Sequence, residues 1–102
     1  MTTRARMTPA ERDWFEAALD DDLQATNDAL VEMNRDPARW FCSGIDGTGM
    51  PRVNGRGDSR GEAEANAKDG AEGYIRQKAA FRVMAPVDDW HFIAYEPDPP
   101  AS

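Results

Sequence analysis

The chain has 102 residues, 40% of them hydrophobic and 30% charged, enough for one soluble domain with a single modest core. A net charge of −7, with a pI of about 4.6, argues against phosphate-backbone binding, which depends on Lys and Arg, and points to solubility or to a basic protein partner. The lone Cys42 excludes an internal disulfide framework and fits a reducing compartment.

The charge is not spread evenly. Thr8 to Asp36 carries nine acids (Glu11, Asp13, Glu16, Asp20, Asp21, Asp22, Asp28, Glu32 and Asp36) against Arg12 and Arg35, which alone accounts for the whole net charge. Ahead of this segment, residues 1–7 read as a flexible N-terminus without the apolar region of a signal peptide. No apolar run approaches the ~18 residues of a membrane span, so no membrane is expected and a cytoplasmic location is.

The acidic segment reads as a helix over residues 9–35. Thr8-Pro9-Ala10-Glu11 has the form of a capping box, with Pro9 suited to the first turn. Trp14, Phe15, Ala18, Leu19, Leu23, Ala29, Leu30 and Met33 recur at one-face spacing, with Asp13, Glu16, Asp20 and Asp28 opposite. Asp36-Pro37 ends the helix, because a residue before proline is pushed out of the α region. Asp22 falls inside the apolar stripe. The helix therefore breaks at Asp20 to Asp22, buries and pairs Asp22, or uses the stripe as an intermolecular seam, and the rarity of unpaired buried charge favours a break or an edge placement. Unbroken, it would run about 40 Å at ~1.5 Å per residue, so it kinks, projects, or packs against a second copy in a homodimer.

Arg39 to Ile45 is rich in strand formers, Asp46-Gly47 is a turn signal, and Met50 to Asn54 resumes as a shorter strand with Pro51 at its start. In this hairpin Trp40 and Cys42 share one face, and Phe41, Ser43 and Ile45 the other. Ser59-Arg60-Gly61-Glu62 is a second capping box, opening a helix with Ala63, Ala67, Ala71, Tyr74, Ile75 and the Lys78 stem at helical spacing. Gly55-Arg56-Gly57 before it is a turn feeding that helix and not a phosphate loop, since Arg60 stands where the third glycine is needed. Gly70 and Gly73 inside the helix point to close packing on the sheet. Phe81 to Ala85 reads as a strand, Pro86 to Asp89 as a turn, Trp90 to Tyr95 as the last strand, and residues 97–102 as a flexible tail. The expected architecture is α+β: helix-β-β-helix-β-β, with the helices packed on a small antiparallel sheet.

Residues Gly57 to Ile75, "GDSRGEAEANAKDGAEGYI", about a fifth of the chain, resemble the strand-to-helix signature of HicB-like antitoxins. Gly57, Asp58, Ser59, Glu62, Ala63, Asn66, Ala67, Glu72, Tyr74 and Ile75 occupy the positions of that pattern, while the family's first strand is replaced by the acidic helix. The resemblance implies a protein that binds and blocks a small basic RNA-cleaving toxin. The same residues are similar to the third-strand-to-helix junction of double-stranded RNA-binding domains. There Arg60, Glu62 and Glu64 would fall on a lysine-rich helix start, and the acids remove its phosphate-binding charge.

Catalytic signals are sparse. His91, the single histidine, sits on a strand facing away from Trp90 and Phe92 and reads as a packed or rim residue; a general base needs a positioned partner. Cys42 with His91 is the only nucleophile–base pairing on offer for a small enzyme. Asp20-Asp21-Asp22 points to different sides of a helix, unlike a cation loop, so no metal and no cofactor are expected. The expectation is a non-enzymatic inhibitor of a basic, nucleic-acid-handling protein, either a HicB-like antitoxin or a mobile-element inhibitor of host defence such as an anti-CRISPR. Asp13, Glu16, Asp20, Asp21 and Asp28 are its partner-binding residues, and no direct nucleic-acid contact is involved. The alternatives are an assembly subunit oligomerising through the N-terminal helix and a small enzyme using His91 and Cys42.

Overall fold

The computed structural model describes residues 6–79 and 90–98. Seven elements follow one another: β1 (Arg6–Met7), α1 (Pro9–Ala18), α2 (Asp21–Asn34), β2 (Trp40–Ile45), β3 (Pro51–Gly57), α3 (Arg60–Ala79) and β4 (His91–Glu96). The strands form one antiparallel sheet in the order β1-β4-β2-β3, with α1 and α2 on one face and α3 on the other. This is an α+β fold with helices on both sides of a small sheet. The strand expected over Phe81 to Ala85 and the turn at Pro86 to Asp89 lie outside the described residues.

Alternation along the strands sorts the core into two halves. Phe41, Ile45, Ile93 and Tyr95 pack with Phe15, Leu19 and Val31 beneath α1 and α2. Cys42 packs with Ala63 and Ala67 of α3, flanked by Trp40 and Phe92. Within the α3 half, Gly55 lets the helix approach closely: a Cβ there would stand 2.4 Å from both the Ala63 carbonyl oxygen and the Ala67 nitrogen. The contact expected of Gly70 and Gly73 is thus made by the strand glycine. A Cβ at Gly70 meets only Val53, at 3.4 Å or more, and at Gly73 only the far end of Arg76, at 3.9 Å.

The N-terminal helix is two helices. Leu19 and Asp20 are extended, and Asp20 caps α2 by accepting a hydrogen bond from the Leu23 N–H at 2.9 Å. Asp21 and Asp22 follow in the first turn, where the helix dipole favours negative charge, and Asp22 is exposed. The acidic triplet is therefore the joint, and the length that would have called for a second copy does not arise. The break also resets the helical phase: Asn27 and Val31 are the buried residues of α2, Ala29 is exposed, and Met33 is 78% exposed. Replacing Asp20 with Ala is expected to cost about 1 kcal/mol, whereas Asp20→Asn, an equally good cap, leaves stability near wild type. Urea midpoints of the two variants check this.

Other expectations are corrected by long-range contacts. Thr8 occupies the N-cap of α1 without making a side-chain cap, and the reciprocal bond is also missing, because the Glu11 carboxylate is drawn to Arg60 of α3 instead of back to Thr8. The second box forms by half: the Glu62 N–H donates to Ser59 Oγ at 3.2 Å, while the Glu62 carboxylate accepts from the Asp58 N–H at 3.4 Å and not from that of Ser59. Arg6 and Met7, placed in a flexible N-terminus, pair with Glu96 and Tyr95 as β1. The start of the expected tail is fastened: the Asp98 N–H donates to the Pro37 carbonyl at 2.8 Å, and its carboxylate takes the Arg35 fork at 2.9 and 3.2 Å.

Candidate functional site

Two surfaces carry the chemistry of this fold. The first is the outward side of α1 and the start of α2. Asp13, Glu16, Asp21 and Asp22 are exposed and make no ion pair among the described residues, and Asp20 is exposed while serving as cap. Asp28 is half-buried and engaged, so it is not a free member of the patch.

Elsewhere the charges largely cancel. Arg35 meets Asp98 and Glu32, and Arg39 meets Asp58 at 3.1 Å and Glu62 at 3.6 Å. Arg52 meets Asp46 at 2.8 Å, and Arg60 bridges Glu11 and Glu64. Asp46 is held below its ordinary pKa by hydrogen bonds from Thr48, Arg52 and Met50, which outweigh the opposing effect of its burial. With these arginines turned onto internal carboxylates, α1 and the first turn of α2 carry four exposed acids, Asp13, Glu16, Asp21 and Asp22, that have no ion pair among the described residues.

The second surface is a cleft of about 380 Å³ where α1, α3 and β4 meet. Glu11 and Trp14 enter from α1, Arg60, Glu64 and Lys68 from one side of α3, and His91 and Phe92 from β4. His91 stacks on Trp14 with ring centroids 3.7 Å apart and planes 8° from parallel. Burial holds its imidazole below the ordinary value, against the opposing pull of Glu11, so it is neutral at pH 7. Glu11 is the most buried charged group of the cleft, its side chain 8% exposed against 44% for Arg60 and 30% for Glu64. One oxygen, Oε1, takes the Arg60 guanidinium; Oε2 is buried and has no hydrogen-bond partner among the described residues. Lys68 lies over the Phe92 ring at 5.8 Å and forms no ion pair among the described residues.

Sequence reasoning singled out Asp13, Glu16, Asp20, Asp21 and Asp28 and missed the cleft. Its residues come from three segments, each of which reads alone as an ordinary helix or strand. His91 and Cys42 are not brought together. His91 faces α1, while Cys42 lies on the opposite face, opposite Ala94 in the β2–β4 register, against Ala63 and Ala67. Burial, with a contribution from Glu64, pushes the Cys42 thiol up to about 12, so it is neither a thiolate nor within reach of a base. Among the described residues no group of three or more His, Cys, Asp or Glu is arranged to hold a metal ion, and no helix is long and apolar enough to cross a membrane. Compared with protein-family models, curated proteins and solved structures, the chain matches none of them.

Proposed function

We propose that this chain is a non-enzymatic acidic interaction protein of the cytoplasm that docks on a basic, nucleic-acid-handling protein and blocks it. A HicB-like antitoxin or an anti-CRISPR-type inhibitor works in this way. The observation that carries the reading is the segregation of charge: Arg35, Arg39, Arg52 and Arg60 are each turned onto intramolecular carboxylates, while Asp13, Glu16, Asp21 and Asp22 stay exposed and unpaired among the described residues. Such a surface repels phosphate backbones and attracts the cationic channel of a protein that binds them. Separation of Cys42 from His91 favours a binding role over nucleophilic catalysis.

The test has two stages. Affinity capture from the native host identifies the partner, which is expected to be basic. Association rates are then measured against ionic strength for the wild type and for a variant with Asp13, Asp20 and Asp21 changed to Asn and Glu16 to Gln. Asn at position 20 keeps the cap, so the fold is preserved. Wild-type association is expected to slow steeply with salt, and the variant to bind about tenfold slower at low salt with a flatter dependence. Equal rates that ignore salt would reduce the acidic face to a solvated surface.

A further inference from the structure

A third surface differs in kind from the acidic face and the cleft, because its chemistry lies in the backbone. Among the described residues β3 ends the sheet and pairs only with β2. The register fixes which of its groups are left over. The Asp46 N–H donates to the Met50 carbonyl at 3.0 Å, so Asp46 turns toward β3. Alternation along β2 then turns Phe41 and Ser43 toward β4, and their partners on β3, Arg56 and Asn54, point N–H and C=O away from the sheet. Asn66 agrees with this orientation, since its Nδ2 donates to the Arg56 carbonyl at 2.8 Å. Open edges pair with other chains unless they are blunted, commonly by proline or a bulge. Here Pro51 and the register shift beside Gly44 guard the start of β3, and Asn66 guards the Arg56 carbonyl. The guards stop short of the middle: Asn54 N–H, Asn54 C=O and Arg56 N–H have no partner strand among the described residues. On the face that carries α2, a pocket of about 110 Å³ is lined by Leu30, Val31, Phe41, Pro51 and Asn54. Met33, 78% exposed, follows Leu30 by three residues and extends this apolar flank outward. Arg56 is exposed on the same face of β3 as Asn54 and makes no ion pair among the described residues, whereas Arg52 is held by Asp46.

We infer that this edge is the docking site for an extended segment of a partner protein that adds to β3 as an antiparallel strand. The segment carries an aliphatic side chain opposite Asn54 and, two residues before it, a carboxylate opposite Arg56. An extended chain is required because the unpaired groups are those of a strand edge, which another strand completes. Antiparallel pairing is the more stable direction per residue. Residues directly opposite share a face, so the one facing Asn54 falls over the pocket and the one facing Arg56 meets the free guanidinium. Charge decides against a second copy of this chain. Antiparallel self-pairing centred on Asn54 would set each Arg56 opposite an Arg52, and would offer the pocket an asparagine instead of an apolar side chain. The inference is independent of the acidic docking surface, which lies on α1 and the start of α2.

The test uses the full chain and three synthetic peptides blocked at both ends: Thr-Thr-Glu-Thr-Leu-Thr-Thr, the same with glutamine for the glutamate, and the same with serine for the leucine. Two-dimensional ¹H–¹⁵N spectra follow the backbone N–H groups of Asn54 and Arg56, and hydrogen exchange reads the Asn54 N–H directly. The first peptide is expected to give saturable shifts at both positions with a Kd of roughly a millimolar or below, and to slow exchange at Asn54. The glutamine peptide should bind about threefold more weakly, as for an exposed ion pair, and the serine peptide about tenfold more weakly, for the lost burial of leucine. Arg56→Gln should bind the glutamate and glutamine peptides equally. Asn54→Pro removes the outward N–H without removing a bond to β2, so it should fold, with a melting temperature near wild type, and lose the peptide. Arg56→Gln changes only an exposed side chain and decides the question even if the proline variant fails to fold. Four results would overturn the site: no saturable shift at Asn54 and Arg56 in folded wild-type protein, equal binding of the leucine and serine peptides, an unchanged glutamate preference in Arg56→Gln, or shifts at Asn54 that follow protein concentration without peptide, which would give the edge to a second copy.

Discussion

Replacing Gly55 with Ala is expected to destabilise the protein by roughly 3 kcal/mol, the upper part of the range for overpacking a core. The new Cβ would stand 2.4 Å from the Ala63 carbonyl oxygen and from the Ala67 nitrogen, both backbone atoms of α3, so no side chain can rotate out of the way. The helix itself has to move off the sheet. Ala63, Ala67 and Ala71 are fully buried there, and Asn66 holds the Arg56 carbonyl at 2.8 Å, so displacement opens the whole interface. Gly61→Ala is the control. Nothing lies within 4 Å of a Cβ at that position, and an exposed helical alanine is expected to add about 0.5–1 kcal/mol of stability. Urea unfolding of both variants measures the contrast. A loss below about 1 kcal/mol for Gly55→Ala would mean that α3 does not rest on the strand as described.

Glycine 55 also marks where the sequence is readable and where it is not. Local signals held: Asp46-Gly47 turns the β2–β3 hairpin, Ser59 and Glu62 start α3, and alternation placed Phe41, Ser43 and Ile45 opposite Trp40 and Cys42. Each depends on residues a few positions apart. What was not legible depends on contacts across the chain. Gly55 reads as part of a turn until a helix 8 to 12 residues later is seen lying on it. Glu11 satisfies the pattern of a capping box, but its partner is Arg60, 49 positions away. Two residues, Arg6 and Met7, are too few to show a period, and only Tyr95 and Glu96 make them a strand. The acidic triplet carried two compatible messages, surface charge and helix start, and its helix-start role emerges from the extended backbone at Leu19 and Asp20.

The joint at Asp20 directs α2 so that Asn27 reaches the hairpin turn, and that contact yields the second large expected effect. Asn27 is fully buried, and its Nδ2 donates to the Leu23 carbonyl at 2.8 Å and to the Gly49 carbonyl at 3.1 Å. Gly49 has a φ of +87°, the left-handed turn conformation that glycine adopts without strain, so this one amide fastens α2 to the turn between β2 and β3. Asn27→Asp changes almost no volume but replaces a donor with an acceptor facing two acceptors. At pH 7 the introduced carboxylate is buried with no cation in contact among the described residues, and a loss of about 3 kcal/mol or more is expected. Protonation restores one donor. Burial and the facing carbonyls raise the folded-state pKa of the introduced group above its unfolded value of about 3.9. The folded state then binds the extra proton between those two values, so the variant loses stability relative to wild type as pH rises through that window, by up to about 1.4 kcal/mol per pH unit. Below about pH 4 the group is protonated in both states, and that part of the penalty vanishes. Asn27→Ala separates charge from the lost contact: it leaves the Gly49 carbonyl without its donor at every pH, and its cost relative to wild type should not change between pH 4 and 7. Urea unfolding of the three proteins at both pH values reads the outcome. A penalty for Asn27→Asp that is the same at pH 4 and 7 would show that residue 27 does not sit buried between the two carbonyls, and with it that α2 does not clasp the hairpin.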